Sequence, residues 1–183
     1  PQIRKSISEL EETFDAERPA PVAAAPAGAS VLRVKSAVQR IEQHKSQVDV
    51  LNALLEQSLD FGSRAALLIL RGETFSGWKG AGFTAHGGND EMVKRFNAAP
   101  GLIPELDRVL RNEHVVMWDG ANLASRLGVG ASVQAVLIPM VIKDKVAAAV
   151  YIDAVEADVA KFDVASLELL VFITGLLVDT LAI

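Results

Sequence analysis

The stretch ASVQAVLIPMVIKDKVAAAVYID, residues 131–153, decides the fold of this chain. Two runs rich in Val and Ile, 133–142 and 146–152, are separated only by the polar triplet KDK at 143–145. That pattern predicts an antiparallel β-hairpin. Both arms are apolar at nearly every position, so we expect the hairpin at the centre of a sheet whose two faces are both covered. Pro139 has no N–H to give to a neighbouring strand, so we expect it at a bulge or at an unpaired edge.

The composition excludes several classes of function. The 183 residues, half of them hydrophobic, suit one domain with extensions and a sizeable core. The net charge of −5 disfavours binding to nucleic acid. The absence of cysteine excludes disulfides, thiolate metal sites, Fe–S clusters and cysteine nucleophiles, and it is consistent with a cytoplasmic location. The longest uncharged apolar run, 169–178, is about half of the ~20 residues of a spanning helix, so we expect no membrane span.

The N-terminal residues 1–30 read as a tail followed by a linker. Apolar residues at 3, 7, 10 and 14 predict a short amphipathic helix at 3–15, and a partly disordered tail is an equal alternative. The Pro/Ala-rich segment 19–30 is typical of a linker. Because a linker joins parts of a protein, and because the sequence starts without Met, we expect another domain upstream.

Residues 31–59 predict one long helix, since seven of nine heptad core positions are apolar. We expect its first part, 31–46, to project from a domain formed by residues 47–183. Lys45 and Asn52 interrupt the apolar pattern. They either fix the register of a coiled coil or face solvent where the helix turns onto the domain.

The last helix, from residue 164 to the C-terminus, carries only two charges, Glu168 and Asp179. A helix that is apolar on all sides is expected to be buried on all sides. The sequence therefore predicts a homodimer in which the first and last helices form a bundle between subunits. The residues predicted at that interface are Val34, Val38, Ile41, Val48, Leu55, Leu170, Ile173 and Leu177.

Between these helices the chain alternates short strands, turns and helices. Residues 65–70 predict a strand, and 75–83 predict a second one interrupted by glycines, which mark bulges or close approach of another group. Pro104 opens a helix, and 114–118 form a short strand followed by a short helix.

Three segments together resemble a GAF domain, the small-molecule sensing and dimerisation module common in bacterial signalling proteins. They are QVDVLNALLEQSLDFGSRAALLILRGETFSGWKGAGF at 47–83, VLIPMVIKDKVAAAVYID at 136–153 and FDVASLELLVFITGLL at 162–177. The resemblance implies an α+β, profilin/PAS-like fold with a central antiparallel sheet of five to six strands. The N- and C-terminal helices pack on one face and often dimerise, and any ligand pocket lies on the other face with short helices and loops.

The functional motifs of particular GAF families are missing. Members that attach bilins and members that reduce methionine sulfoxide use cysteine, which this chain lacks. The Asn-Lys…Phe…Asp-Glu signature of cyclic-nucleotide-binding members is not evident either.

A pocket on the ligand face would be lined by aromatic residues with a few polar groups. The candidates are Trp78, Phe83, His114, Trp118, Asn122 and Arg126. The alternative is that the aromatic residues among them are simply core. The three histidines are too scattered for a zinc site, and the glycine-rich segments lack the spacing of a phosphate-binding loop. We therefore expect no enzyme, no metal and no cofactor.

Two hypotheses of function remain. The first is a non-catalytic GAF-like regulatory module of a larger bacterial protein, which dimerises and binds an unidentified small molecule. The second is a protein–protein interaction or scaffold domain without a small ligand. An open cavity under Trp78 and Trp118 would favour the first hypothesis, and a closed aromatic core would favour the second.

Overall fold

The structure is a computed structural model that describes residues 27–112 and 114–181. The helix predicted at 3–15, and the predicted tail and linker up to residue 26, lie outside the described residues.

Six strands form one sheet in the order β3-β2-β1-β6-β5-β4, and every neighbouring pair is antiparallel. The sheet agrees with the predicted α+β class and with the predicted five to six strands. The strands are β1 Arg64–Arg71, β2 Thr74–Ala81, β3 Asn97–Ala98, β4 Val116–Trp118, β5 Gln134–Ile142 and β6 Lys145–Ala154.

The predicted central hairpin is confirmed as β5 and β6. Lys143 and Asp144 both have positive φ, the conformation that lets a two-residue turn follow the twist of its strands. β6 lies beside β1 in the middle of the sheet. β4 pairs with β5 only as far as Leu137, so Pro139 lies beyond the end of β4, at an edge where its missing N–H costs nothing.

The helices are α1 Ala27–Glu42, α2 Gln47–Ser58, α3 Pro104–Asn112, α4 Ala121–Arg126 and α5 Val164–Leu181. Helices α1, α2 and α5 cover one face of the sheet, which we call the helical face. Helices α3 and α4 and the loops after β2 cover the other face, which we call the distal face. The 3-10 segments are Thr84–His86, Asp90–Arg95, Pro100–Leu102 and Glu156–Lys161.

The single long helix predicted at 31–59 is wrong. The chain breaks at 43–46, and the Ser46 side chain caps α2 by accepting a hydrogen bond from the Asp49 N–H at 3.1 Å. Helix α1 then folds back on α2 and α5 instead of projecting, and Val34 and Ile41 are buried in the chain's own core. Arg33 fixes this return because its guanidinium lies over the Phe61 ring and donates to the Asp60 carbonyl. On the surface, the Lys79 ammonium donates a hydrogen bond to the side-chain oxygen of Asn52 at 2.8 Å.

Candidate interaction surface

The six predicted pocket residues are not brought together. Trp78 packs on the helical face, whereas Trp118 packs on the distal face. Alternation along β2 explains the difference, since Phe75 and Gly77 face the distal side and Trp78, the next residue, points the other way. A β-bulge follows, in which Leu67 pairs with Lys79 and Leu68 with Gly77, leaving Trp78 as the extra residue.

The other four candidates have separate roles on the distal side. Phe83 is fully buried in the distal core. Asn122 accepts a hydrogen bond from the Trp118 indole at 2.9 Å and donates to Glu105 at 2.8 Å. His114 and Arg126 are exposed.

The distal face is a closed core under the sheet. Side chains from the sheet, α3, α4 and the loops after β2 form one cluster, and its largest members are fully buried. These members are Leu68, Phe75, Phe83, Ile103, Leu106, Leu123 and Tyr151. Of the aromatic residues that the sequence left open as either pocket or core, Phe83 is fully buried here, whereas Trp78 and Trp118 are partly buried.

A buried ion pair closes the end of this core. Arg64 is 2% exposed and Asp153 is 0% exposed, and the guanidinium donates to both carboxylate oxygens at 2.7–2.9 Å. Arg64 also donates to the carbonyl oxygens of His86 and Gly130. One side chain therefore fixes the two loops that cover the distal face.

Tyr151 completes the network by donating its hydroxyl hydrogen to Asp153. Burial, reinforced by the negative charge of Asp153, holds the pKa of the Tyr151 hydroxyl well above its usual value. Within the described ranges, no buried side-chain nitrogen or oxygen lacks a hydrogen-bond partner. The polar groups of the network are thus all paired within the chain, and the network has a structural role. No spacing in the sequence marked it, because Arg64 and Asp153 are 89 residues apart.

A second, smaller polar contact joins the chain after α2 to the 3-10 segment after β6. Ser63 donates to Asp158 at 2.6 Å, and Lys161 lies 3.6 Å from the same carboxylate. The hydrogen bond from Ser63, with the nearby positive charges of Lys161 and His86, holds the pKa of Asp158 below its usual value despite partial burial. Both ionisable groups with shifted pKa values in the described residues therefore have structural partners.

The helical face is not closed in the same way. Helix α5 buries Leu167, Leu170, Val171 and Thr174 against the sheet and the neighbouring helices. Its opposite side carries an exposed row of apolar residues spaced four, three and four apart, which we call the α5 ridge. The ridge consists of Ala165, Leu169, Phe172 and Leu176.

Among the larger side chains of the ridge, Phe172 is the most exposed, at 64%, followed by Leu176 at 55% and Leu169 at 44%. Monomeric proteins rarely leave such contiguous apolar surface in water. The ridge is therefore the strongest candidate for an interaction surface in the described part of the chain.

A groove flanks the ridge on each side. The groove between α5 and the open edge of β5, which we call the β-side groove, has a volume of about 380 Å³. Its lining residues are Val115, Ile138, Pro139, Val141, Lys143, Asp144, Glu168, Phe172 and Leu176. The groove between α5 and α1, the α-side groove, has a volume of about 280 Å³ and is lined by Ser30, Val31, Val34, Asp163, Ala165, Ser166 and Leu169.

The predicted interface residues divide into two groups. Val34, Ile41, Leu55 and Leu170 are buried inside the chain, so they are not available to a partner in this conformation. Val38, Ile173 and Leu177 are partly buried, and Val48 is exposed. Of the predicted row 170, 173 and 177, Leu170 is buried and the other two are partly buried, and the exposed row lies one residue earlier. In a helix that is apolar all round, the sequence contains no polar face to show which side remains exposed.

Helix α5 is long and apolar enough to span a membrane by length and composition, with a mean hydropathy of 1.9 over the helix. In this structure 39% of the helix is buried, and it packs on the sheet and on α1 and α2. The core helix of a folded domain meets the same length and composition criteria. Within the described ranges, no group of three or more His, Cys, Asp or Glu side chains is placed to hold a metal ion.

No protein-family model matches the sequence, and no curated protein has a significant sequence match. Solved structures do match the fold. The GAF domain of a Coxiella burnetii phosphoenolpyruvate-protein phosphotransferase is 12% identical with a TM-score of 0.67, covering 85% of this chain and 96% of that one. The GAF domain of the corresponding Acinetobacter protein is 16% identical with a TM-score of 0.60, covering 85% and 95%.

A third similar structure is the chromophore-binding domain of the Stigmatella aurantiaca bacteriophytochrome. It is 13% identical with a TM-score of 0.65, covering 88% of this chain and 63% of that one. Identities at this level establish the architecture only. The order of the strands, the helices on one face and these matches together show that this chain has the GAF fold.

Proposed function

We propose that this chain is a non-catalytic regulatory module that self-associates through the α5 ridge. The observation that carries the proposal is the exposed row of Leu169, Phe172 and Leu176 on a helix whose opposite side is packed into the core. Burying such a row against a second apolar surface would remove it from water at about 25 cal/mol per Å².

The regulatory part of the proposal rests on the kinds of protein in which similar domains occur. Similar domains occur in the phosphotransferases and the bacteriophytochrome described above and in a methyl-accepting chemotaxis protein, with 15% identity and a TM-score of 0.58. A further domain upstream and a cytoplasmic location are part of the same proposal. Because α1 packs against α5, movement of a domain attached before α1 would shift α1 and so change the packing of α5, which carries the ridge.

The proposal assigns protein contact rather than small-molecule binding as the primary activity. The distal face, where a GAF-like pocket was expected, is filled by the chain's own aromatic and aliphatic side chains. Arg64 further holds the two covering loops together. A small ligand on that face would have to displace packed side chains, whereas a protein partner at the ridge would displace only water.

The test is the mass of the protein in solution, measured by light scattering over a range of concentrations. We expect twice the 19.5 kDa mass of one chain at high concentration. Phe172→Glu places a charge in the middle of the ridge and should weaken association at least about 10-fold, as expected for a central aromatic residue of an interface.

The matched control is Leu102→Glu. Leu102 is 62% exposed, nearly the same as Phe172, but it lies beside α3 on the distal side. We expect this variant to associate as the original chain does. A monomer at every concentration, or equal weakening by the two substitutions, would refute self-association through the ridge.

A further inference from the structure

The N-terminal segment that precedes α1 carries a pattern that matches the α5 ridge. Its apolar residues at 3, 7, 10 and 14 are spaced four, three and four apart, and so are the ridge residues at 165, 169, 172 and 176. We propose that residues 3–15 pack as a helix into the α-side groove and over the ridge of the same chain, where they compete with a second copy. Such a cover would regulate the self-association proposed above, on which this inference rests.

The chain enters the described structure beside this groove. Helix α1 begins at Ala27, and Ser30 and Val31, one turn further on, already line the α-side groove. The segment 16–26, which connects the predicted helix to α1, can extend over about 34 Å at ~3.1 Å per residue. The ridge is only about 17 Å long from its first residue to its last. The N-terminal segment can therefore reach the whole ridge without leaving its own chain.

The two apolar rows also agree in length. A helix rises about 1.5 Å per residue, so the stripe from 3 to 14 and the ridge from 165 to 176 are each about 17 Å long. Amphipathic helices that lie in apolar grooves use anchors at this spacing. On the two walls of the groove, Val31 is 66% exposed and Leu169 is 44% exposed. A helix laid between α1 and α5 would remove apolar side chains of both walls from water.

The α-side groove suits an apolar stripe better than the β-side groove does. Among the described residues that line the α-side groove, Asp163 alone carries a charge. Its carboxylate already accepts hydrogen bonds from the Ser166 N–H at 3.3 Å and from the Ser166 hydroxyl at 2.7 Å. The lining of the β-side groove contains Lys143, Asp144 and Glu168. An apolar stripe in the α-side groove therefore displaces less water from charged groups.

The tether determines which partner occupies the ridge at a given protein concentration. A short tether gives an effective concentration in the millimolar range, which exceeds the concentration of a second copy in dilute solution. An isolated helix as short as residues 3–15 is marginal in water, so the cost of ordering the segment offsets part of this advantage. The segment would cover the ridge in dilute solution, and a second copy would replace it as the protein is concentrated.

The first measurement uses a thiol to probe the groove, because the chain has no native cysteine. Leu169→Cys is introduced into the full chain, with and without the double substitution Ile7→Glu and Leu10→Glu. The rate of alkylation by iodoacetamide is followed at a concentration at which the chain is monomeric. We expect the double substitution to raise the rate several-fold, because charges in the stripe prevent it from covering the groove. Both substituted positions precede the first described residue, so the sequence of the described core is unchanged.

Two control variants match this design. Ser8→Glu adds the same charge as Leu10→Glu but on the opposite side of the predicted helix, and it should leave the rate unchanged. Leu102→Cys places the thiol at a residue that is 62% exposed on the distal side. Its rate should be the same with and without the double substitution.

The second measurement is the dissociation constant of the dimer, obtained by light scattering on chains that keep Leu169. We expect the double substitution to lower this constant about 10-fold or more, because a cover present in roughly nine-tenths of the molecules leaves only a tenth able to associate. Ser8→Glu should again have no effect.

The outcomes separate this inference from the proposal beneath it. An equal alkylation rate of Leu169→Cys with and without the double substitution would overturn the cover and leave self-association standing. A double variant that associates more weakly than the original chain would place the stripe in the dimer interface, and a cover within one chain would again be overturned. If no variant forms a dimer, self-association and the competition both fail, whereas faster alkylation of the double variant would still support the cover.

Discussion

The two faces of the sheet differ in how completely the chain itself pairs their polar groups and covers their apolar surface. On the distal face, Arg64, Asp153 and Tyr151 bury their polar groups with every partner supplied from within the chain. On the helical face, α5 buries one side and leaves Phe172 and its neighbours in water. The same strands form both faces, so the difference arises from the helices and loops that pack on each face and not from the strands themselves.

The comparison shows which face of the sheet leaves apolar side chains exposed. A closed face gains nothing from a further contact, because its apolar area is already removed from water and its hydrogen bonds are made. An exposed apolar ridge between two grooves gains from any complementary surface. The distal face, where a GAF-like ligand was expected, is therefore closed, and the helical face leaves apolar surface exposed.

The largest expected effect comes from breaking the closed face at its ion pair. Asp153→Ala leaves the Arg64 guanidinium buried without its carboxylate, which typically destabilises a protein by about 3–5 kcal/mol. Urea unfolding followed by tryptophan fluorescence would measure the loss, since Trp118 lies 6.1 Å from the Tyr151 ring.

The control breaks an ion pair on the other face. Asp179→Asn removes the partner of Lys143, whose side chain is 76% exposed, and should change stability by less than about 1 kcal/mol. Equal effects of the two substitutions would mean that the Arg64–Asp153 pair is not sealed from water.

The fold was predictable because its strongest signals are local. The KDK turn between two apolar runs specified β5 and β6, and Pro139 pointed to the open edge that the structure shows. The break between α1 and α2 was not predicted, although Ser46 with Asp49 three residues later is a recognisable capping pattern. The apolar heptad positions continue through the break, because Val34 and Leu55 face the same core from two helices.

The second prediction concerns the glycines of β2. A Cβ at Gly77 would collide with the Val93 carbonyl, part of the 3-10 segment that closes the distal face. Gly77→Ala should therefore cost about 1–3 kcal/mol, as overpacking does in a rigid site. The measurement is the midpoint of thermal or urea unfolding.

Gly101→Ala is the matched control, since a Cβ there meets nothing within 4 Å and its φ is not positive. We expect its effect to stay within about 0.5 kcal/mol. If Gly77→Ala were equally harmless, the 3-10 segment would have to yield easily, and the distal face would be less rigid than the comparison requires.

The candidate site was less predictable than the fold, for a physical reason. A pocket depends on which side chains share one face, and β2 changes its alternation at the Trp78 bulge. The Arg64–Asp153 pair joins β1 to β6 through strand pairing, which sequence spacing does not reveal. The ridge on α5 was anticipated as an apolar helix, but only packing determined that Leu170 is buried and Phe172 exposed.

The smallest effect at neutral pH is expected at Tyr151, the only tyrosine in the sequence. Its pKa is raised in the folded state by burial and by Asp153, so the contribution of this shift to stability is complete below the unfolded-state value of about 10. As the pH rises above 10, the unfolded chain loses the phenolic proton while the folded chain retains it, and the free energy of unfolding falls.

Absorbance of the phenolate reports Tyr151 alone, and we expect none in the folded protein at pH 10. Tyr151→Phe should cost about 1 kcal/mol at pH 7 through the lost hydrogen bond and should remove this residue's alkaline contribution to unfolding. A phenolate midpoint near pH 10 in the folded protein would show that water reaches the hydroxyl. The distal face would then be open to water at Tyr151, and the contrast between a closed distal face and an exposed helical face would no longer hold.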